Sequence, residues 1–275
     1  MPLDDDVRQL LDQLTDAPAL SAGTVADARR NYDAAPRPEG DPIARVEDLT
    51  VPCAHGTVPV RLYASSDEAG LPVVVFFHGG GWVLSSVDGH DHVARRLARS
   101  TGALVISVDY RLAPEHPFPA AHDDCWAAVS WLAGHADEWG GDPTRIAVCG
   151  DSAGGNLAAG VALRARDEGL ALALQALIYP CIVDDPSAYP SMRENATGLF
   201  LTADDMQWFW GHFVLPGDRR DGRAVPARAE HLTGVAPAFV QTAELVHGFV
   251  ARWSLMHRAH EALDDLATAL RAALT

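Results

Sequence analysis

Lysine is absent from the 275-residue sequence, so all 21 basic side chains are arginine. No pyridoxal phosphate Schiff base, P-loop lysine, kinase strand lysine or Ser-x-x-Lys pair can therefore form. Positive charge is scarce overall. With 37 acidic residues the net charge is −16, which argues against nucleic acid or an anionic membrane surface as partner. Cysteine is sparse as well. Cys53, Cys125, Cys149 and Cys181 make no C-x-x-C pair and no disulfide framework. Cys149 and Cys181 lie in apolar runs and read as buried thiols. Long apolar runs are missing too. The longest uncharged stretch, residues 169–183, is broken by Gln175 and Pro180 and is too short to span a bilayer. Met1-Pro2-Leu3-Asp4-Asp5-Asp6 is acidic where a secretion signal would start basic. The expected setting is a reducing cytoplasm, with no membrane span.

What is present suits one large globular domain: 48% hydrophobic and 21% charged residues. Leu3, Val7, Leu10, Leu11 and Leu14 recur at helical spacing. Residues 34–42 are rich in proline, glycine and charge and read as a linker. Strands are expected at Val58–Tyr63, Val73–Phe77, Ala103–Asp109, Ile146–Cys149, Ala173–Tyr179 and Ala238–Thr242. Helices are expected over residues 90–100, 121–139, from Ser152 to about Asp167, and 251–273. Buried strands alternating with helices imply an α/β fold, a mostly parallel sheet covered on both faces. Ligands of such sheets bind at the carboxyl ends of the strands.

Two motifs sit at such ends. Gly150-Asp151-Ser152-Ala153-Gly154 follows a strand and opens a helix, the context that a nucleophile elbow requires. Flanking glycines let the chain turn tightly, so the serine hydroxyl stands out above the sheet. The helix N-terminus beneath it favours negative charge. His78-Gly79-Gly80-Gly81 ends the Val73–Phe77 strand. Acyl transfer passes through a tetrahedral oxyanion, and side-chain-free glycines let backbone N–H groups approach it. The Ala153 N–H, just after the serine, adds a further donor. His90-Asp91-His92 could suggest a metal, but no further ligands lie nearby, so it reads as a helix start. His257 and His260 read as ordinary residues of the last helix. No metal and no cofactor is expected.

With these residues in hand, the chain resembles the hormone-sensitive-lipase-like branch of the α/β-hydrolases, the bacterial G-D-x-G esterases. The matching pieces are His78-Gly79-Gly80-Gly81-Trp82, Asp109-Tyr110-Arg111-Leu112-Ala113-Pro114-Glu115 and Pro117-Phe118-Pro119-Ala120-Ala121. Gly150-Asp151-Ser152-Ala153-Gly154-Gly155-Asn156-Leu157 and His247-Gly248-Phe249 complete the set. The resemblance covers essentially the whole chain. It implies a carboxylic ester hydrolase with Ser152 as nucleophile, His247 as general base, and Gly79, Gly80 and Ala153 as oxyanion hole. His78 then shapes its loop and moves no proton. One α/β-hydrolase domain is implied, with a helical cap from about residues 1–40 and 190–220. Trp82, Trp208 and Phe209 would line the substrate pocket, and Trp210 and Phe213 would line its acyl part with them. A pocket crowded by aromatics favours short acyl chains.

One departure stands out. Family members carry Asp-Pro-Leu after a strand like Pro237–Glu244, then a helix and a strand, and only then the histidine. Here Leu245 and Val246 alone separate Glu244 from His247. A strand–helix–strand unit needs about 30 residues, so a crossover carrying the family's aspartate is expected to be missing and the sheet shortened. Three readings stay open. Glu244 orients His247; or water or a backbone carbonyl does; or the chain is an inactive small-molecule binder on a hydrolase fold. A shortened sheet also exposes apolar helix faces that a homodimer would cover.

Overall fold

The structure is a computed structural model that describes residues 4–14, 19–185, 189–197, 200–242 and 247–275. Seven strands form one sheet: β1 (Arg45–Cys53), β2 (Gly56–Ala64), β3 (Leu71–Phe77), β4 (Leu104–Val108), β5 (Gly141–Asp151), β6 (Leu174–Ile178) and β7 (Ala238–Gln241). Their order is β1-β2-β4-β3-β5-β6-β7. β2 pairs antiparallel with β1 and β4, and all the remaining pairs are parallel. The helices are α1 (Asp5–Leu14), α2 (Val25–Ala34), α3 (Asp91–Thr101), α4 (Ala120–His135), α5 (Ala153–Glu168), α6 (Pro190–Glu194), α7 (Ala203–Phe213) and α8 (His257–Ala273).

The period-two alternation of β3 builds two cores. Val73, Val75 and Phe77 pack on one face with Val129 and Leu132 of α4 and Leu157 and Val161 of α5. Val74 and Phe76 pack on the other with Val93 and Leu97 of α3 and Leu263, Leu266 and Leu270 of α8. Both faces are covered, so β3 and β4 need no polar face and read as continuous apolar runs. β1 was not expected from the sequence. It is an edge strand on which only Val51 is buried, so its charged residues blur any alternation. The opposite edge is β7, beyond which no strand lies among the described residues.

Above the carboxyl ends of the strands, α2 and α7 lie over the glycine loop. Trp82 stacks on Phe213 with centroids 4.1 Å apart, and Trp210 closes on it at 4.5 Å. A capping box between Thr202 and Asp205 starts α7, and the same Asp205 accepts from the Ser21 N–H at 2.8 Å. Arg29 on α2 donates to the Val83 and Ala113 carbonyls at 2.9 Å and pairs with Glu115.

Three histidines are buried in the neutral form. Burial lowers His78 and His122 to about 3 and His92 to about 4. The unfolded chain binds protons at these sites near pH 6.5, where the folded chain does not. Stability is therefore full above pH 6.5 and lost as the pH falls toward 4. The urea midpoint should drop clearly between pH 7.5 and 5, each group contributing on the order of 1 kcal/mol. Replacing His92, whose ring meets the Ala251 carbonyl, by glutamine should flatten that dependence.

Candidate active site

β5 ends at Asp151 and α5 begins at Ala153, with Ser152 between them at φ 56°, ψ −115°. A non-glycine residue holds such a backbone only where its surroundings over-determine it. Here they do. A Cβ on Gly154 would come 1.8 Å from the Phe77 carbonyl oxygen, and one on Gly150 would come 2.2 Å from that of Gly154. The two glycines let α5 start directly against the ends of β3 and β5. The Ser152 N–H donates to the Ile178 carbonyl at 2.9 Å, and the Ser152 carbonyl accepts from Asn156 and Cys181 at 3.1 Å.

His247 arrives from the C-terminal side, and its Nε2 lies 2.7 Å from Ser152 Oγ. Its segment is anchored behind it. The Val250 N–H donates to Tyr179 Oη at 3.3 Å, and His92 Nε2 donates to the Ala251 carbonyl at 3.0 Å. The Tyr179 ring lies 4.7 Å from the imidazole and packs on buried Phe249. Burial lowers His247 to about 4; Asp151 pulls the value up and Arg252 pushes it down. Among the described residues no carboxylate hydrogen-bonds to this imidazole. Glu244 falls in residues 243–246, outside the described residues.

Asp151 is buried beneath the site. Its Oδ1 accepts from the Gly79 N–H at 2.8 Å and faces His90 Nε2 at 3.4 Å, and its Oδ2 accepts from Tyr179 Oη at 3.3 Å. Burial alone would raise this carboxyl. His90, the Gly79 N–H and His78 outweigh burial and hold it below its ordinary value. This arrangement corrects the expectation for Gly79, whose N–H is engaged by Asp151 and so is not free for an oxyanion. The N–H groups of Gly80, Gly81 and Ala153 meet no acceptor among the described residues. Gly80 and Gly81 line the cleft beside Ser152. Gly81, at φ 61°, faces the Phe209 ring at a distance where a Cβ would come within 2.1 Å.

The cleft holds about 50 Å³ of free space. Trp82 and Phe209 line it, as expected. Trp208 does not; it packs edge-on against Phe209 and His212. Trp210 and Phe213 are buried among the α7 contacts. His78 is buried away from the cleft, stacked on Tyr110 at 4.3 Å, with its Nδ1 donating to the Gly79 carbonyl at 2.7 Å. His90, Asp91 and His92 diverge toward Ser85, Arg95 and Ala251, and no group of three or more potential metal ligands exists among the described residues. Sequence reasoning missed Leu20, Tyr32, His90 and Arg252 in the lining. None belongs to a motif that the ester chemistry uses, and only the fold brings them together.

Residues 74–262 match the profile of the alpha/beta hydrolase fold family. The chain is 47% identical over 227 residues to carboxylesterase NlhH of Mycobacterium tuberculosis, covering 80% of this chain and 70% of that protein. It is 40% identical over 249 residues to esterase LipI of the same organism, covering 88% and 77% respectively. The hyperthermophilic esterase from the archaeon Pyrobaculum calidifontis superimposes with a TM-score of 0.92 at 38% identity, covering 99% of each chain. The strand order, the serine elbow and these similarities agree: this chain belongs to the alpha/beta hydrolase fold family.

Proposed function

We propose that the chain hydrolyses carboxylic esters, with Ser152 as nucleophile and His247 as its general base. The 2.7 Å approach of His247 Nε2 to Ser152 Oγ carries this reading. A nucleophile and base must lie within hydrogen-bond reach, and the serine must face oxyanion donors. The carboxylesterase and esterase names of the relatives point the same way.

The chemistry follows from these atoms. Ser152 Oγ attacks the ester carbonyl carbon and passes its proton to His247 Nε2. The carbonyl oxygen becomes an oxyanion facing the N–H groups of Gly80, Gly81 and Ala153. Collapse expels the alkoxide, which takes the proton from His247 and leaves as the alcohol. Water then attacks the acyl carbon, giving its proton to His247. The second collapse returns that proton to Ser152 Oγ and releases the acid. The strained serine backbone and the three unengaged N–H groups serve this sequence, and simple binding would need neither.

Cleft size sets the acyl group. Trp82, Phe209 and Met206 wall the cleft beside Ser152, so esters of short acyl chains are the preferred substrates. The four free thiols suit a reducing, cytoplasmic setting.

Ser152→Ala should abolish hydrolysis of a short chromogenic ester, and His247→Ala should lower it by about two decades or more. Equal rates for all three chains would overturn the assignment. The base must be neutral to take the serine proton. The acid limb of kcat/KM should therefore lie near the His247 value of about 4, with activity constant above it and falling below it. A limb near 6.5 would reveal a carboxylate supporting the imidazole. In that case Glu244→Gln should cost three to four decades; we expect a loss below about tenfold. Gly81→Ala should lower kcat by about a hundredfold with little change in KM, because its Cβ would collide with Phe209 and shift an oxyanion donor.

A further inference from the structure

The cleft contains a cation that the ester chemistry above does not use. Arg252 lines it together with Ser152 and His247, yet it is a cation in an otherwise largely apolar wall. The 3-10 segment Phe249–Leu255 kinks at this residue, with φ −126° and ψ 21°. Its guanidinium lies 4.0 Å over the Phe200 ring, and Nη1 donates to the Gly248 carbonyl at 3.4 Å. No other hydrogen bond and no carboxylate engages it among the described residues. A guanidinium carries five N–H donors in a planar fork, so most of them remain unmatched. Other partly buried arginines of this protein are paired: Arg111 with Asp124, Arg223 with Asp221, Arg29 with Glu115.

Holding an unpaired charge in a poorly solvated wall is costly unless an anion completes it. The arrangement has a second cost. Arg252 opposes protonation of His247, the step through which the proposed reaction passes. A cation kept there, against both penalties, requires an anionic partner that arrives with the substrate. A planar monoanion fits one guanidinium fork, and carboxylate is the match in charge and geometry.

We propose that the preferred substrates are esters that also carry a carboxylate, bound by Arg252 while the ester carbonyl sits at Ser152. The proposal rests on the ester-hydrolase reading of the same cleft. It also supplies what the described residues lack near His247. A bound carboxylate cancels the field of Arg252, so the imidazolium forms more easily when the correct substrate is present than when the cleft is empty or holds a neutral ester.

The test uses two ester pairs on the full chain. Monomethyl and dimethyl glutarate place the carboxylate on the acyl side; 4-acetoxybenzoate and its methyl ester place it on the alcohol side. We expect kcat/KM for the charged member of one pair to exceed its neutral partner by about tenfold or more. The pair that shows the preference identifies the side. That ratio should collapse to about one or below in Arg252→Met and persist in part in Arg252→Lys. Ratios near one in the unmodified chain, with hydrolysis still abolished by Ser152→Ala, overturn the carboxylate proposal and leave the ester-hydrolase reading standing. Hydrolysis that survives Ser152→Ala overturns that reading instead. Calorimetry with glutarate on the folded Ser152→Ala chain then decides the anion site by itself. Binding lost on adding Arg252→Met supports it, and binding that is absent or indifferent to Arg252 overturns it.

Discussion

Everything at the site depends on one backbone contact: the first turn of α5 lies against the end of β3. No side chain fits between them, since a Cβ on Gly154 would come 1.8 Å from the Phe77 carbonyl oxygen. That closeness forces the strand-to-helix turn into a single residue, and it leaves Ser152 on the left-handed side of the backbone map. The same contact sets His78–Gly81, the continuation of β3, directly beside the serine. Nucleophile and glycine loop are thus neighbours because two glycines and a buried strand make them so. The cost is a strained serine, of order 1–3 kcal/mol, which the packing of α5 between β5, β6 and α4 can carry.

Charge organises the second layer. Asp151 is buried and is stabilised by the Gly79 N–H, His90 and Tyr179 Oη. Those bonds lock the glycine loop to the elbow and tie β6 to the segment carrying His247, through the Tyr179–Val250 bond. One carboxylate therefore positions donors and base at once, and among the described residues Asp151 is the acidic group that raises the basicity of His247. It does so from behind the serine, without touching the ring.

Much of this was legible in the sequence. The apolar runs of β3 and β6 and the glycines of the elbow announced themselves because full burial and tight turns restrict residue type. What escaped has physical reasons. β1 is a charged edge strand with one buried residue, so it has no alternation to read. Trp208 was expected in the pocket beside Phe209, but adjacent residues on a helix point about 100° apart, and the buried face of α7 is Met206, Phe209, Trp210 and Phe213. Gly79 was expected beside Gly80 as an oxyanion donor, and Gly81 was not. Which N–H faces the cleft depends on where Asp151 sits, and composition carries no trace of that. Among the described residues β7 is the last strand at its edge of the sheet, and Glu244 falls outside the described residues.

The weak point of the site is also what makes it selective. A histidine held by a triad carboxylate is a ready base for any ester that fits. Among the described residues no carboxylate holds His247, which burial and Arg252 lower to about 4, so these residues alone leave it a poor base in the empty cleft. Binding energy then accelerates the reaction only where it acts on the transition state, in which the imidazolium carries charge. A ligand group that neutralises Arg252 does that, because its effect on His247 grows as the proton moves. A neutral ester of the same shape gains no ion pair with Arg252 and leaves the repulsion in place. Discrimination between substrates therefore appears in KM, through the ion pair, and in kcat, because the support given to the imidazolium grows as the serine proton is transferred.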